Sequence, residues 1–202
     1  MEINTNKTKS ILHLGKFDIS ALSHKVALLK DNEWDTPEDY MANYNKNSKS
    51  ALNSTQHIIF RFSNKQTVPF SYKSYSSWAK WKAILLPLLD QATKSYGYRN
   101  GVYTRVMLAK LPQKSFIPPH IDGDKTGSIP HKIHIPIKTN INSFFYLNGE
   151  KHHLKKGQAY EVNNSITHSV ANSGDTDRIH LIFEYLDYSI QSEIIKKQIS
   201  LQ

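Results

Sequence analysis

The sequence predicts a mainly β domain, built as a barrel or sandwich, with helices packed outside it. From residue 100 onward, short runs of strand-forming residues alternate with turn residues. Two stretches nearer the N-terminus instead carry apolar residues at helical spacing. With 202 residues, the chain is long enough to bury a sizeable core. We therefore expect one domain over 1–202, with a helical and strand buttress at 1–99, a β core at 100–187 and a tail or helix at 188–202.

Two helices are expected in the N-terminal half. The first covers residues 18–34, and the second covers residues 75–97, where Pro87 interrupts the helix interior and Gly97 provides a stop signal. The candidate caps and apolar positions of the first helix are Asp18, Ser20, Leu22, Val26 and Leu29. The apolar face of the second helix comprises Trp78, Trp81, Ile84, Leu85 and Leu88. Core packing is the simplest role for both tryptophans.

The expected strands lie mostly after the second helix. One strand, 57–62, precedes that helix and follows a polar stretch at 43–55 that is typical of a loop. The later strands are 102–111, 132–137, 143–147, 152–157, 159–162, 168–172 and 178–186. Asn148–Gly149 lies between two of them and is a strong signal for a two-residue hairpin turn. The pattern of residues 188–200 is compatible with a terminal helix.

Composition limits the possible functions. The chain has no cysteine, which excludes disulfides, thiol catalysis and cysteine-ligated metals, so any metal must be held by His, Asp or Glu. Its net charge of +9 is compatible with an acidic partner. The lysines are dispersed along the chain, however, so a generally basic surface is the simpler explanation of the charge. A polar N-terminus and the lack of a long apolar run predict a cytoplasmic protein with no membrane partner. The oligomeric state is not predicted.

The segment "PPHIDGD" holds a histidine and an aspartate, His120 and Asp122, at a spacing that puts both on one side of a strand. Considered alone, this pair is better explained as a surface salt bridge or a capped loop. His168, which starts a later strand, supplies a second imidazole. Two histidines and one carboxylate on one face hold Fe(II) in non-haem oxygenases and leave coordination positions open. Asp124 is a second possible carboxylate, although the spacing favours Asp122.

Arg178 opens the strand that follows His168. Because the intervening "NSGDTD" has turn chemistry, we expect His168 and Arg178 on adjacent antiparallel strands. A buried arginine beside an iron site needs a counter-anion, and its planar fork matches a carboxylate. A small dicarboxylate that chelates iron at one end and meets Arg178 at the other describes 2-oxoglutarate.

Four segments together resemble the aspartyl/asparaginyl β-hydroxylase family of Fe(II)- and 2-oxoglutarate-dependent dioxygenases. They are "HIDGD", "KIHIPIKTN", "FFYLNGE" and "GQAYEVNNSITHSVANSGDTDRIHLIFEY", and the resemblance is strongest over 100–187. It implies a double-stranded β-helix core of the jelly-roll, cupin-like type. It also implies that His120, Asp122 and His168 bind the iron and that Arg178 binds the distal carboxylate of 2-oxoglutarate.

The same resemblance implies residues for the iron-side end of 2-oxoglutarate. The family's arginine–x–histidine strand reads Lys132-Ile133-His134 here, so His134 and Lys132 are the expected contacts. Lysine keeps the positive charge of arginine and loses its bidentate fork, which weakens the expectation for Lys132.

The implied function is hydroxylation of an amino-acid unit (Asp, Asn or Pro type), free or in a peptide, with Fe(II), 2-oxoglutarate and O2, and with release of succinate and CO2. Arg105, on the strand before the motif, is a candidate for the substrate carboxylate if its side chain points inward. A nucleic-acid demethylase of the same superfamily is an alternative that fits the basic charge, although "RIHLIFEY" lacks the second arginine of the "RxNxTxR" segment in those enzymes. A non-enzymatic cupin that binds a small carboxylate is the other alternative.

Overall fold

The computed structural model describes residues 9–42, 51–63, 71–122 and 130–189. The strands are β1 (Ile11–Lys16), β2 (Gln56–Ser63), β3 (Tyr72–Ser74), β4 (Gly101–Leu111), β5 (Ser115–His120), β6 (His131–Lys138), β7 (Ser143–Leu147), β8 (Glu150–His152), β9 (Gln158–Val162), β10 (His168–Asn172) and β11 (Arg178–Asp187). The helices are α1 (Ser20–Ala27), α2 (Pro37–Ala42) and α3 (Ser76–Thr93), with short 3-10 turns at Asp31–Glu33, Ala51–Ser54 and Lys94–Tyr96.

The strands form two antiparallel sheets. The large sheet has the order β1-β9-β6-β11-β4-β2-β3, and the small sheet has the order β5-β10-β7-β8. One apolar cluster draws residues from both sheets, including Leu111 of the large sheet and Val170 of the small sheet. The fold is therefore mainly β with a jelly-roll, cupin-like core, as the sequence predicted.

The two faces of the large sheet carry different chemistry because successive strand residues point to opposite sides. On the outer face, Leu181 and Phe183 of β11 belong to the main core with α1 and α3, so the helices pack outside the β core as expected. On the inner face, β11 presents Arg178, His180 and Glu184, all nearly inaccessible to solvent. The inner face of β11 thus carries buried polar side chains, and these contribute to the site.

Several predicted elements are confirmed with small changes. The second helix is α3, extended by the turn at Lys94–Tyr96 and ended by Gly97, which adopts the left-handed conformation (φ 66°). Asn148 and Gly149 both have positive φ and join β7 to β8, as the hairpin signal predicted. In the described residues, no helix combines the length and the apolar character needed to cross a membrane.

Other element predictions were wrong in extent. The helix predicted at 18–34 ends at Ala27 and is followed by the 3-10 turn at Asp31–Glu33. The strand predicted at 152–157 ends at His152, because the chain turns toward Gly157, whose φ is 73°. Most of the loop at 43–55 and almost all of the terminal helix at 188–200 lie outside the described residues.

The expected pairing of the strands that carry His168 and Arg178 was also wrong. β10 pairs with β5 and β7, whereas β11 pairs with β4 and β6, so the two residues lie in different sheets. The turn-like segment between them crosses from one sheet to the other. Buried Asn172 anchors this crossover, because its amide donates hydrogen bonds to the carbonyl oxygens of Leu111 (3.2 Å), Pro112 (3.0 Å) and Thr176 (3.0 Å).

Candidate metal centre

The two histidines of the predicted triad lie side by side in the small sheet. His120 ends β5, His168 begins β10, and the two residues are direct partners in the antiparallel ladder, with ring centroids 4.2 Å apart. Asp122 follows β5, and its backbone N–H donates to the carbonyl of Asn164 (3.1 Å), which holds the aspartate at the same end of the sheet. One ligand atom from each of the three residues lies within 4.8 Å of the others.

The imidazoles of His120 and His168 both use Nδ1 for a hydrogen bond to the backbone, which leaves Nε2 to bind a metal. Nδ1 of His120 lies 2.8 Å from the carbonyl oxygen of Pro118, and Nδ1 of His168 lies 3.0 Å from that of Ile166. Since a carbonyl can only accept, each Nδ1 carries a proton, and Nε2 is the nitrogen through which each imidazole can coordinate a metal. These Nε2 atoms lie 3.6 Å and 3.7 Å from Oδ1 of Asp122, so three electron-pair donors converge on one point.

The charge states of the cluster suit a cation. Burial opposes ionisation of Asp122, but Lys132, His120 and His168 outweigh it and hold the pKa of this carboxyl well below its usual value. Lys132 Nζ contacts Asp122 Oδ2 directly. Burial lowers the pKa of His168 to about 4, although Asp122 acts in the opposite direction. Asp122 is therefore anionic and His168 neutral near pH 7, which are the forms that bind metals.

Arg178 lies deeper in the jelly-roll, on the inner face of the large sheet. It is 3% exposed, and burial lowers the pKa of its guanidinium to about 9. Its Nη2 donates to Nδ1 of His180 (2.8 Å). No carboxylate among the described residues forms an ion pair with it. A buried cation without a protein counter-ion is costly, which makes this the expected position of an anionic ligand.

Phe145 contacts both the triad and Arg178, and His134 packs against Phe145. The Phe145 ring stacks on His168 with centroids 5.9 Å apart and lies 5.9 Å from the guanidinium carbon of Arg178. His134 meets Phe145 edge to face at 5.5 Å. Burial, followed by Lys132 and Arg178, holds the pKa of His134 well below its usual value. Its Nε2 is buried with no hydrogen-bond partner in the described part of the chain.

Arg105 also points inward, toward the other end of β11. It is the ladder partner of Glu184, and its Nη1 lies 3.1 Å from Glu184 Oε1. Its guanidinium carbon lies 4.4 Å from the centroid of Phe62. Across β11, Glu184 is also the ladder partner of Lys132, so charges of alternating sign run from Asp122 to Arg105.

The structure thus brings together every predicted site residue of the triad and of the inner face. Asp124, the alternative carboxylate, lies outside the described residues. His131 points to the other side of β6, where it forms hydrogen bonds with Tyr98 (2.7 Å) and Glu161 (2.7 Å).

Sequence reasoning missed Glu184 and Phe145. A glutamate inside the otherwise apolar "HLIFEYL" is a signal that could have identified the former, whereas Phe145 is an ordinary strand residue until its neighbours are known.

Comparison with known proteins gives one matching family and several solved structures of similar fold. The model of the family described as aspartyl/asparaginyl beta-hydroxylase matches residues 27–187. No curated protein sequence matches the chain.

The structural relatives share the fold at low sequence identity. One is an oxidoreductase of the 2OG-Fe(II) oxygenase family from Burkholderia pseudomallei, with TM-score 0.60 and 12% identity, over 88% of this chain and 84% of that one. Another is a prolyl hydroxylase from Trichoplax adhaerens, solved with a peptide fragment of the hypoxia inducible factor oxygen degradation domain. It has TM-score 0.56 and 12% identity, over 95% of this chain and 90% of that one.

Proposed function

The chain belongs to the aspartyl/asparaginyl β-hydroxylase family, and on that premise we propose that it is an Fe(II)- and 2-oxoglutarate-dependent dioxygenase that hydroxylates an amino-acid unit. The observation that carries this proposal is the pairing of two features on one inner surface. His120, Asp122 and His168 bring three metal-binding atoms together, and buried Arg178 lies behind them without a protein carboxylate in the described residues.

The donor set fits Fe(II). Two imidazoles and one carboxylate form the facial arrangement of non-haem iron sites, and O and N donors of this kind suit a divalent first-row metal. The backbone carbonyls of Pro118 and Ile166 fix the imidazole tautomers in the form that coordinates through Nε2. In this proposal His120, Asp122 and His168 are the iron ligands.

The inner face fits 2-oxoglutarate. The Arg178 guanidinium would receive the distal carboxylate as a bidentate partner, relieving the cost of its burial. The orphaned Nε2 of His134 is a buried polar atom that needs a partner, which a bound carboxylate would provide. Lys132 already contacts Asp122, so we propose that it contributes positive charge at the iron-side end and holds the ligand carboxylate Asp122 in place.

Bound Fe(II) supplies the activation of O2, which couples oxidative decarboxylation of 2-oxoglutarate to succinate and CO2 with hydroxylation of a substrate C–H bond. The protein's own part is to orient the groups and exclude water. His180 and Phe145 lie against Arg178 and limit the access of water to its guanidinium. No acid–base residue outside the ligand set is required.

For the substrate, we propose an Asp, Asn or Pro unit, free or in a short peptide, with a carboxylate of that amino acid or peptide meeting Arg105. Glu184 and the Phe62 ring hold the Arg105 guanidinium in one orientation. This arrangement favours a role for Arg105 and Glu184 in positioning the substrate. Arg105→Ala should raise the KM for a carboxylate-bearing substrate and leave 2-oxoglutarate affinity unchanged. Exposed Arg99→Ala is the matched control and should alter neither.

The test is a product screen with the full chain. The purified protein is incubated with Fe(II), 2-oxoglutarate and O2 and with free amino acids or short peptides, and mass spectrometry detects one added oxygen atom while succinate is quantified. His168→Ala should abolish both signals, because it removes a metal ligand. Formaldehyde from methylated DNA would instead identify a demethylase, and 2-oxoglutarate binding without succinate from any substrate would identify a sensor.

A further inference from the structure

A cavity of about 360 Å³ lies on the outer face of the large sheet, bordered by α1, the turn at Asp31–Glu33 and strands β4, β6 and β11. We propose that it binds a small organic anion with an apolar body, such as an aromatic or aliphatic carboxylate, at a site separate from the metal centre. We call it the outer cavity. This inference goes beyond the proposed dioxygenase activity and does not depend on it.

The sheet itself separates the outer cavity from the metal centre. Ile179 lines the cavity, and it is the ladder partner of Lys110 on one side and of Lys138 on the other. Neighbouring Arg178 projects from the opposite face of β11, because adjacent strand residues alternate. A ligand in the outer cavity would therefore lie behind the proposed 2-oxoglutarate pocket without entering it.

Lys110 is the lining residue whose environment favours a bound anion. Its side chain is 9% exposed, and its Nζ lies 4.6 Å from the centroid of the Trp34 ring. Its nearest anion is Asp31, whose Oδ1 is 3.8 Å away, beyond hydrogen-bond distance, on a side chain that is fully exposed. Within the described residues, nothing accepts a hydrogen bond from this ammonium. Apart from the Trp34 ring, this largely buried ammonium has one distant, solvated partner, and a bound anion would improve its environment.

The rest of the lining defines the chemistry of the ligand. Lys138 and Lys156 add positive charge, while Asp177 already accepts a hydrogen bond from the backbone N–H of Gln113 (3.1 Å). Between the charges the wall is apolar, with Val26 and Leu29 of the helical side facing the cavity. The volume falls within the range of small-molecule sites. Cationic points on an apolar wall select an anion that also carries an apolar body, rather than a wholly polar dicarboxylate.

The experiment uses the full chain loaded with Ni(II) and saturating 2-oxoglutarate, so that the inner site is occupied. The probe is 8-anilinonaphthalene-1-sulfonate, an apolar aromatic anion whose fluorescence rises on binding, with benzoate as competitor. We expect one displaceable site and an affinity loss of about tenfold or more in Lys110→Met, since a charge-assisted hydrogen bond is lost. Lys82→Met, on an exposed position of α3, should bind the probe as the wild type does.

A second variant keeps the test decisive if Lys110→Met folds poorly. Ala27 is exposed at the rim of the outer cavity, so Ala27→Trp fills the cavity from outside with every lysine intact and should also abolish benzoate-displaceable binding. The proposal is overturned if both variants bind the probe like the wild type. It is also overturned if adding 2-oxoglutarate to Ni(II)-loaded protein that lacks it displaces the probe, because the probe would then be bound at the inner site.

Discussion

Arg178 has the least compensated charge on the inner face, and its environment decides what the face can bind. A short carboxylate ligand would meet a guanidinium whose only hydrogen bond among the described side chains is to His180. Leu111, directly opposite on β4, offers no polar group. The preference for an anion at this point therefore follows from burial rather than from a preformed ion pair.

Replacing Arg178 should separate iron binding from 2-oxoglutarate binding. Arg178→Ala is expected to weaken 2-oxoglutarate by about 2–3 kcal/mol, because two charge-assisted hydrogen bonds are lost. The 2-oxoglutarate affinity of Arg178→Lys should lie between those of the wild type and Arg178→Ala, because lysine keeps the positive charge but lacks the bidentate guanidinium. Titration calorimetry measures the Ni(II) affinity of the metal-free protein and the 2-oxoglutarate affinity of the Ni(II)-loaded protein. Wild-type 2-oxoglutarate affinity in Arg178→Ala would mean that the dicarboxylate is held elsewhere.

The buried histidines of the inner face should make stability depend on pH. Burial, followed by Arg178 and His134, holds the pKa of His180 well below its usual value, and His134 shifts in the same direction. Below about pH 6.5, where free histidine titrates, the unfolded chain binds protons that the folded chain does not, so stability is lost as pH falls. The slope should approach about 1.4 kcal/mol per pH unit for each histidine.

Urea unfolding of the metal-free protein between pH 7.5 and pH 5.5 measures this slope. His180→Gln removes one titrating group and should flatten the dependence, whereas His24→Gln, at an exposed position of α1, is the matched control. If His180→Gln left the pH dependence of the free energy of unfolding unchanged, groups other than His180 would be responsible for that dependence.

At the scale of elements, α3 and its stop signal were predictable because both are local. Apolar spacing sets the face of the helix, and Gly97 ends it through a backbone conformation that other residues rarely adopt. The strand predicted at 152–157 failed for the converse reason: "HHLKKG" has no local signal against a strand, and pairing with β7 continues only to His152. Pairing partners decide where a strand ends.

Gly97→Ala isolates the contribution of backbone conformation to this element. An added Cβ would meet no atom within 4 Å, so the cost comes from the positive φ alone. We expect a loss of about 1 kcal/mol in the free energy of unfolding. Lys94→Ala, an exposed change in the same turn, is the control and should be close to neutral. Equal stability of Gly97→Ala and wild type would contradict the assigned role of the glycine.

At the scale of the whole molecule, the proposed site spans both sheets. His120 and His168 belong to the small sheet, whereas Arg178, His134 and Arg105 belong to the large one. A ligand that contacts both sets would bind the folded chain and not the unfolded one, and so would stabilise the association of the two layers.

In thermal unfolding, each of the two ligands should give its own increase in Tm. Ni(II) alone should raise the Tm, and 2-oxoglutarate should raise it further, with each ligand contributing about 2.7 kcal/mol at a hundredfold excess over its Kd. His168→Ala should lose both increments, and Arg178→Ala only the second. A 2-oxoglutarate increment that survives in Arg178→Ala would place its binding outside the inner face.

By itself, the sequence determined the fold class, the helical buttress, the hairpin turn and the identity of the metal-binding candidates, because residue type, spacing and turn chemistry are properties of short segments. The tertiary structure decided that His168 and Arg178 come from different sheets, that Lys132 faces Asp122, and that Glu184 accompanies Arg105. These relations depend on which strands pair and in which register, and pairing joins residues far apart in the chain whose local sequences carry no record of each other.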